Sequence, residues 1–120
     1  MLPFELPTLP EIPGDPAGMR ALASSLRADG ALIATIATSL DGRVDSVEFV
    51  GPAATRFEGR MNASVRRCVR VAERLIEAAA LLERSAAEVE AAQRERERRL
   101  AEMRSEALAA HREAMREMAR

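Results

Sequence analysis

The chain has no tryptophan, no tyrosine and only three phenylalanines, so aromatics are 2% of its 120 residues. Strands draw on aromatic and β-branched side chains, and this poverty argues against a sheet. The single cysteine, Cys68, excludes an internal disulfide and most cysteine metal sites, and reads as a small core residue. The single histidine, His111, stands on a charged stretch with no nucleophile beside it and reads as a surface residue. With no phosphate loop and no paired-carboxylate pattern, no catalytic constellation is present; neither an enzyme nor a cofactor nor a metal is expected. An excess of one charge is missing too. Eighteen basic residues face nineteen acidic ones for a net charge of −1, which offers nucleic acid nothing to hold. No apolar run reaches the roughly 18 residues of a membrane helix, so membrane insertion is not expected. The opening MLPFELPTLPEIPG lacks the positive start and continuous apolar core of a signal peptide; any export is expected to use another route.

What remains is a 48% hydrophobic chain rich in alanine and leucine, the composition of helix packed on helix. The predicted fold is all-α. Prolines 3, 7, 10 and 13 crowd residues 1–14, with Pro16 just beyond, so this segment is extended, near polyproline II. Leu2, Phe4, Leu6, Leu9 and Ile12 punctuate it. It is a strap across a helix, a clasp for a partner, or an unanchored tail.

Asp15-Pro16 starts the first helix, which runs to about Arg43. Met19, Leu22, Leu26, Ile33, Ile36 and Leu40 follow a heptad seam. Asp29 falls where a seam residue belongs. The seam drifts onto Gly30 there, because an unpaired buried carboxylate is costly; the alternative is an Asp29 half-buried against an arginine. Ala17, Ala21, Ser24, Ala28, Ala31, Thr35 and Thr38 form a second, small-residue face, with Leu32 beside it. Asp41-Gly42 reads as the helix stop, and Val44–Val50 as the connection.

The segment Phe49-Val50-Gly51-Pro52-Ala53-Ala54-Thr55-Arg56-Phe57 carries the signals for reversing the chain. Gly51 adopts backbone angles that other residues avoid, and Pro52 fits a first helical position. Phe49 and Phe57 clamp the corner from two sides, with Phe49 expected against Leu40. The second helix has no internal stop. Its seam reads Ala54, Phe57, Met61, Ser64, Cys68, Val71, Leu75, Ala78 and Leu82, then Val89 and Ala92, and Val65, Val69, Ala72, Ile76 and Ala79 widen the face. Residues 94–99 are charged all round and read as solvated, held by Glu90–Arg94 and Glu95–Arg99 pairs. A thinner apolar stripe resumes at Leu100, Met103, Ala107, Ala110, Ala114 and Met118.

At about 1.5 Å per residue the second helix is more than twice as long as the first, which covers it to around Ala80. The expected segments are therefore a strap (1–14), a helical hairpin (15–92) and a charged helical extension (93–120). A lone hairpin buries little surface, so association is expected. The predicted remedy is a dimer, a four-helix bundle with Leu32, Val65, Val69 and Ile76 at the interface.

The corner, the Asp15-Pro16 start and the paired seams resemble the WXG superfamily, the early-secreted-antigen-like proteins of type VII secretion. Members commonly show W-x-G-P-A-A-x-x-F where this chain has residues 49–57, and the resemblance spans about Asp15 to Ala92. It implies a helical hairpin that forms an antiparallel homo- or heterodimer and is exported folded, as a partner or carrier rather than an enzyme. It further implies a partner that is a like hairpin or the hairpin-shaped N-terminal stem of a toxin, and a protein secreted, or cytoplasmic before export. Phe49 stands where the family has tryptophan. The family's Y-x-x-x-D/E export signal has no counterpart in a chain without tyrosine, which leaves two roles open: export in company with a partner that carries the signal, or service as a small targeting factor for a larger toxin. An intracellular coiled-coil scaffold is the reading from a different class.

Overall fold

The computed structural model describes residues 4–46 and 50–120; the side chains of 44–46 lie outside that description. The fold is an all-α hairpin of α1 (Pro16–Ser46) and α2 (Pro52–Met118). Among the described residues there is no strand. The chain divides into two compact units, Ala17–Ser85 and the segment up to Pro16 together with Ala86–Arg120.

In the first unit α1 and α2 run antiparallel. Gly30 lies against Ala72 and Ile76, and Arg27 pairs with Glu83. Pro16 opens α1 as expected, but α1 does not stop at Asp41-Gly42. It continues to Ser46, because Gly42 keeps a helical backbone and an exposed glycine costs a helix only about 1 kcal/mol. The corner is built by local chemistry. Gly51 takes φ +108°, where an L side chain is strained, and Pro52 opens α2. The Thr55 amide donates to the Gly51 carbonyl at 3.1 Å and its hydroxyl donates to the same oxygen at 3.3 Å, closing the first turn. Phe49 lies outside the described residues, and so does its expected packing against Leu40 and Phe57. Phe57 itself is 45% exposed.

The seam on α1 keeps its period but changes its members. Its buried or half-buried members are Met19, Ala23, Leu26, Gly30, Ile33, Ala37 and Leu40, spaced alternately four and three apart, with Ala34 half-buried beside them. Leu22 and Ile36, predicted in the seam, are exposed, and so is Asp29. The drift onto Gly30 is what the chain does. Its cause is backbone approach: a small residue at every second seam position lets α2 come close, which Leu22 and Ile36 would prevent. On α2 the hairpin seam is Ala54, Glu58, Met61, Val65, Cys68, Ala72, Leu75, Ala79 and Leu82, again four and three apart. Phe57 and Val71, predicted there, are exposed, while Ser64 and Ala78 are half-buried beside it. The small face of α1 is exposed, and its Thr35 and Thr38 hydroxyls donate to the Ala31 and Ala34 carbonyls at 2.9 and 3.0 Å.

The second unit joins the proline-rich segment to the far part of α2, and of the three readings of that segment the strap across a helix is the one the chain adopts. Residues 4–14 lie along α2, with Phe4 at His111 and Gly14 at Val89. From Val89 to His111 is about 33 Å of helix, so each strap residue covers about 3.3 Å, the reach of an extended chain. The α2 seam of this unit is Ala86, Val89, Gln93, Arg96, Leu100, Met103 and Ala107, still four and three apart. Seven apolar residues are buried among those described: Ala23, Ala37, Ala54, Ala72, Ala79, Ala86 and Leu100.

Candidate functional site

In the second unit the site is a helix face that holds an extended chain by its carbonyls. The Gln93 amide donates to the carbonyls of Ile12 and Gly14, both at 3.2 Å. Arg96 donates through Nε to the Pro10 carbonyl and through Nη2 to the Leu9 carbonyl, both at 2.8 Å. Arg104 donates to Pro7 at 3.4 Å. The strap supplies acceptors because it forms no helix or strand of its own, and its prolines have no N–H to offer in return. Gly14 has φ +131°, and a Cβ there would meet Val89 Cγ1 at 2.8 Å. Glycine is thus required twice at the point where the strap meets α2. At the far end the Phe4 ring stacks on His111, with centroids 4.3 Å apart and planes 22° apart. His111 is exposed as expected, and the stacking adds a role that the sequence did not mark.

The stretch 94–99 is therefore not uniformly solvated. Arg96 is half-buried and clamps the strap. Around it the pairs are Glu90 with Arg94, Glu95 with Arg98 at 2.6 Å, and Arg98 with Glu102 at 2.7 Å. Glu95 pairs with Arg98 in place of the expected Arg99. The hydrogen bond from Arg98 holds the Glu95 carboxyl below its ordinary range against the opposing effect of burial, and the nearby arginine charges add to it.

In the hairpin unit, the residues expected at an interface separate into two groups. Leu32 is 59% exposed and Val69 40%. Ile76 is also 40% exposed, but it touches the Gly30 position, and Val65 is half-buried at a seam position of its own hairpin. Leu22 and Ile36 on α1 and Val71 on α2 are open as well. Cys68 is a free, half-buried thiol in the seam. Arg27 grips Glu83 with two of its guanidinium nitrogens, Nε and Nη2, at 2.6 and 3.1 Å.

Among the described residues no group of three histidine, cysteine or acidic side chains is placed to hold a metal, and no helix is long and apolar enough to cross a membrane. No family model, no curated protein and no solved structure matches the chain.

Proposed function

We propose that this is a non-enzymatic helical-hairpin protein of the type VII secretion type, which acts by pairing with a like hairpin or with the hairpin stem of a larger secreted protein. The observation that carries the reading is the open apolar surface of the hairpin. Leu22, Leu32 and Ile36 on α1 and Val69, Val71 and Ile76 on α2 all stand exposed. Apolar surface of this kind on a small chain is what association removes. The Gly51-Pro52 corner, with its positive φ and its proline at the first helical position, supports the WXG-like reading of the turn.

The test has two arms. Sedimentation equilibrium at tens of micromolar, alone and with hairpins encoded beside it, is expected to give a dimer; a monomer in every combination ends the pairing reading. Export of a tagged chain is expected to stop when the type VII ATPase is disabled; equal amounts in the medium with and without it end the secretion reading. A coiled-coil scaffold is the second reading. The four–three spacing that continues through Ala107, beyond the hairpin unit, favours it.

A further inference from the structure

The α2 seam changes character at Gln93. Against another helix, Gln93 and Arg96 would sit in a seam facing carbonyls already committed to that helix's own amides, and leaving them unpaired there is costly. Against an extended chain the carbonyls are unclaimed, and these two side chains take four of them, from Leu9, Pro10, Ile12 and Gly14. The polar positions of this seam thus select extended backbone over helix.

Recognition at those points is main chain only, so it is indifferent to the strap's side chains. Side-chain content enters through spacing. Leu6, Leu9 and Ile12 recur every three residues, and so do Pro7, Pro10 and Pro13. A polyproline II chain has three residues per turn, so each triplet forms one edge. At the strap's average of about 3.3 Å per residue, three residues advance about 10 Å and seven helical residues about 10.5 Å, close enough to keep the two periods in step over this length.

The strap does not fill the site. Phe4 and Leu6 remain 45% and 42% exposed. Beside Ile12 a cleft of about 310 Å³ stays open, lined by Leu9, Ala92, Arg96 and Arg99 among others. A larger side chain at the Ile12 position would enter it, and an aromatic ring there would meet arginine guanidinium groups, which attract its face.

We propose that α2 from Ala86 to His111 is a binding site for an extended, proline-spaced peptide. The strap is its ligand in cis, and a partner segment with an apolar residue and a proline each recurring every three positions takes the site by displacing the strap. The proposal stands independently of hairpin pairing. A tethered strap competes at an effective concentration near millimolar, so a free peptide binds well only when the strap is loosened. Gly14→Ala in the full chain loosens it, through both the positive φ and the contact with Val89.

The experiment measures fluorescence anisotropy of a labelled peptide of residues 4–14 against full-length chains whose helicity is checked by circular dichroism. Binding to Gly14→Ala is expected to be at least about tenfold tighter than to the unaltered chain. Adding Arg96→Ala should weaken it about tenfold, as loss of charge-assisted bonds to two carbonyls does. A peptide carrying Ile12→Phe should bind more tightly, and a scrambled peptide of equal composition should not bind. A helical Gly14→Ala chain that binds neither peptide, or both equally, overturns the proposal. Should Gly14→Ala not fold, titrating the same peptide into the isotope-labelled unaltered chain reads the competition directly. Strap resonances moving to unfolded positions supports displacement, and strap resonances unmoved at millimolar peptide overturns it.

Discussion

Gly30 of α1 meets the backbone of α2 at Ala72: a Cβ on residue 30 would stand 3.1 Å from the Ala72 carbonyl oxygen. The same Cβ would stand 3.1 Å from Ile76 Cγ1, but that side chain has freedom to turn and the carbonyl does not. Alanine at position 30 gains about 1 kcal/mol of helix propensity and forces the helices apart. Overpacking of this kind costs about 1–3 kcal/mol, so Gly30→Ala is expected to destabilise by about 1 kcal/mol. Gly59, also helical, has nothing within 4 Å of its Cβ position. Gly59→Ala should stabilise by up to about 1 kcal/mol. Urea melts of the two variants check the opposite signs, and the same sign in both would refute the close approach.

Gly51 tests the corner. Nothing lies within 4 Å of a Cβ there, so any loss on substitution comes from φ +108° alone. Gly51→Ala should cost about 1–3 kcal/mol, the range for a residue held in a sparsely populated backbone region. Thermal melts of this variant beside Gly42→Ala, which is helical and equally unobstructed, separate backbone strain from packing.

The Arg27–Glu83 pair predicts a pH dependence. The hydrogen bond from Arg27 chiefly, with its charge, holds the Glu83 carboxyl below its ordinary 4.5, and burial opposes them. A depressed carboxyl stabilises the fold above its unfolded-state value and loses that contribution as pH falls through the folded-state value. The Tm gap between the unaltered chain and Glu83→Gln should hold steady from neutral pH down to about 5, then close at more acid pH. Both side chains are more than two-fifths exposed, so the gap is small and should shrink in about 1 M salt. A gap that widens on acidification contradicts the pairing.

Association is best probed at Leu32 and Val69. Ile76 also supports the hairpin at Gly30, and Val65 lies in the hairpin seam, so charges at either would confuse unfolding with dissociation. Leu32→Glu and Val69→Glu replace exposed side chains and should leave the melting temperature of the hairpin within a few degrees. Their sedimentation equilibrium should shift from dimer to monomer. Unchanged dimers in both variants would place the contact elsewhere.

The two helices and the Gly51-Pro52 corner were legible because their causes are local: a proline that fits only a first turn, and a glycine that bears φ above zero. The seams were half legible. Period is a property of spacing and reads directly, but membership was assigned by size, which favoured Leu22, Ile36, Phe57 and Val71. The helices pack through Ala23, Gly30, Ala37, Ala72 and Ala79, whose value is the backbone approach they permit, and a count of apolar atoms does not see that. The strap across a helix was among the readings the sequence offered, but the side chains that anchor it were missed, for another reason. Gln93 and Arg96 bind main-chain carbonyls, which every residue carries and no letter marks. A signal was nonetheless present: both fall on the four–three spacing between Val89 and Leu100, polar where the pattern asks for apolar.

The alanine seam sets how the chain responds to temperature and denaturant. Six of the seven buried apolar residues among those described are alanines, and each hydrates only a methyl group when the fold opens. Heat-capacity change and the denaturant slope both scale with the surface newly wetted. The heat-capacity increment should therefore fall below the usual 12–15 cal/mol/K per residue, roughly, and the stability curve should be a shallow dome that loses little on cooling. A shallow slope also spreads the urea transition, so a given change in free energy moves its midpoint further than in a leucine-cored protein of equal length.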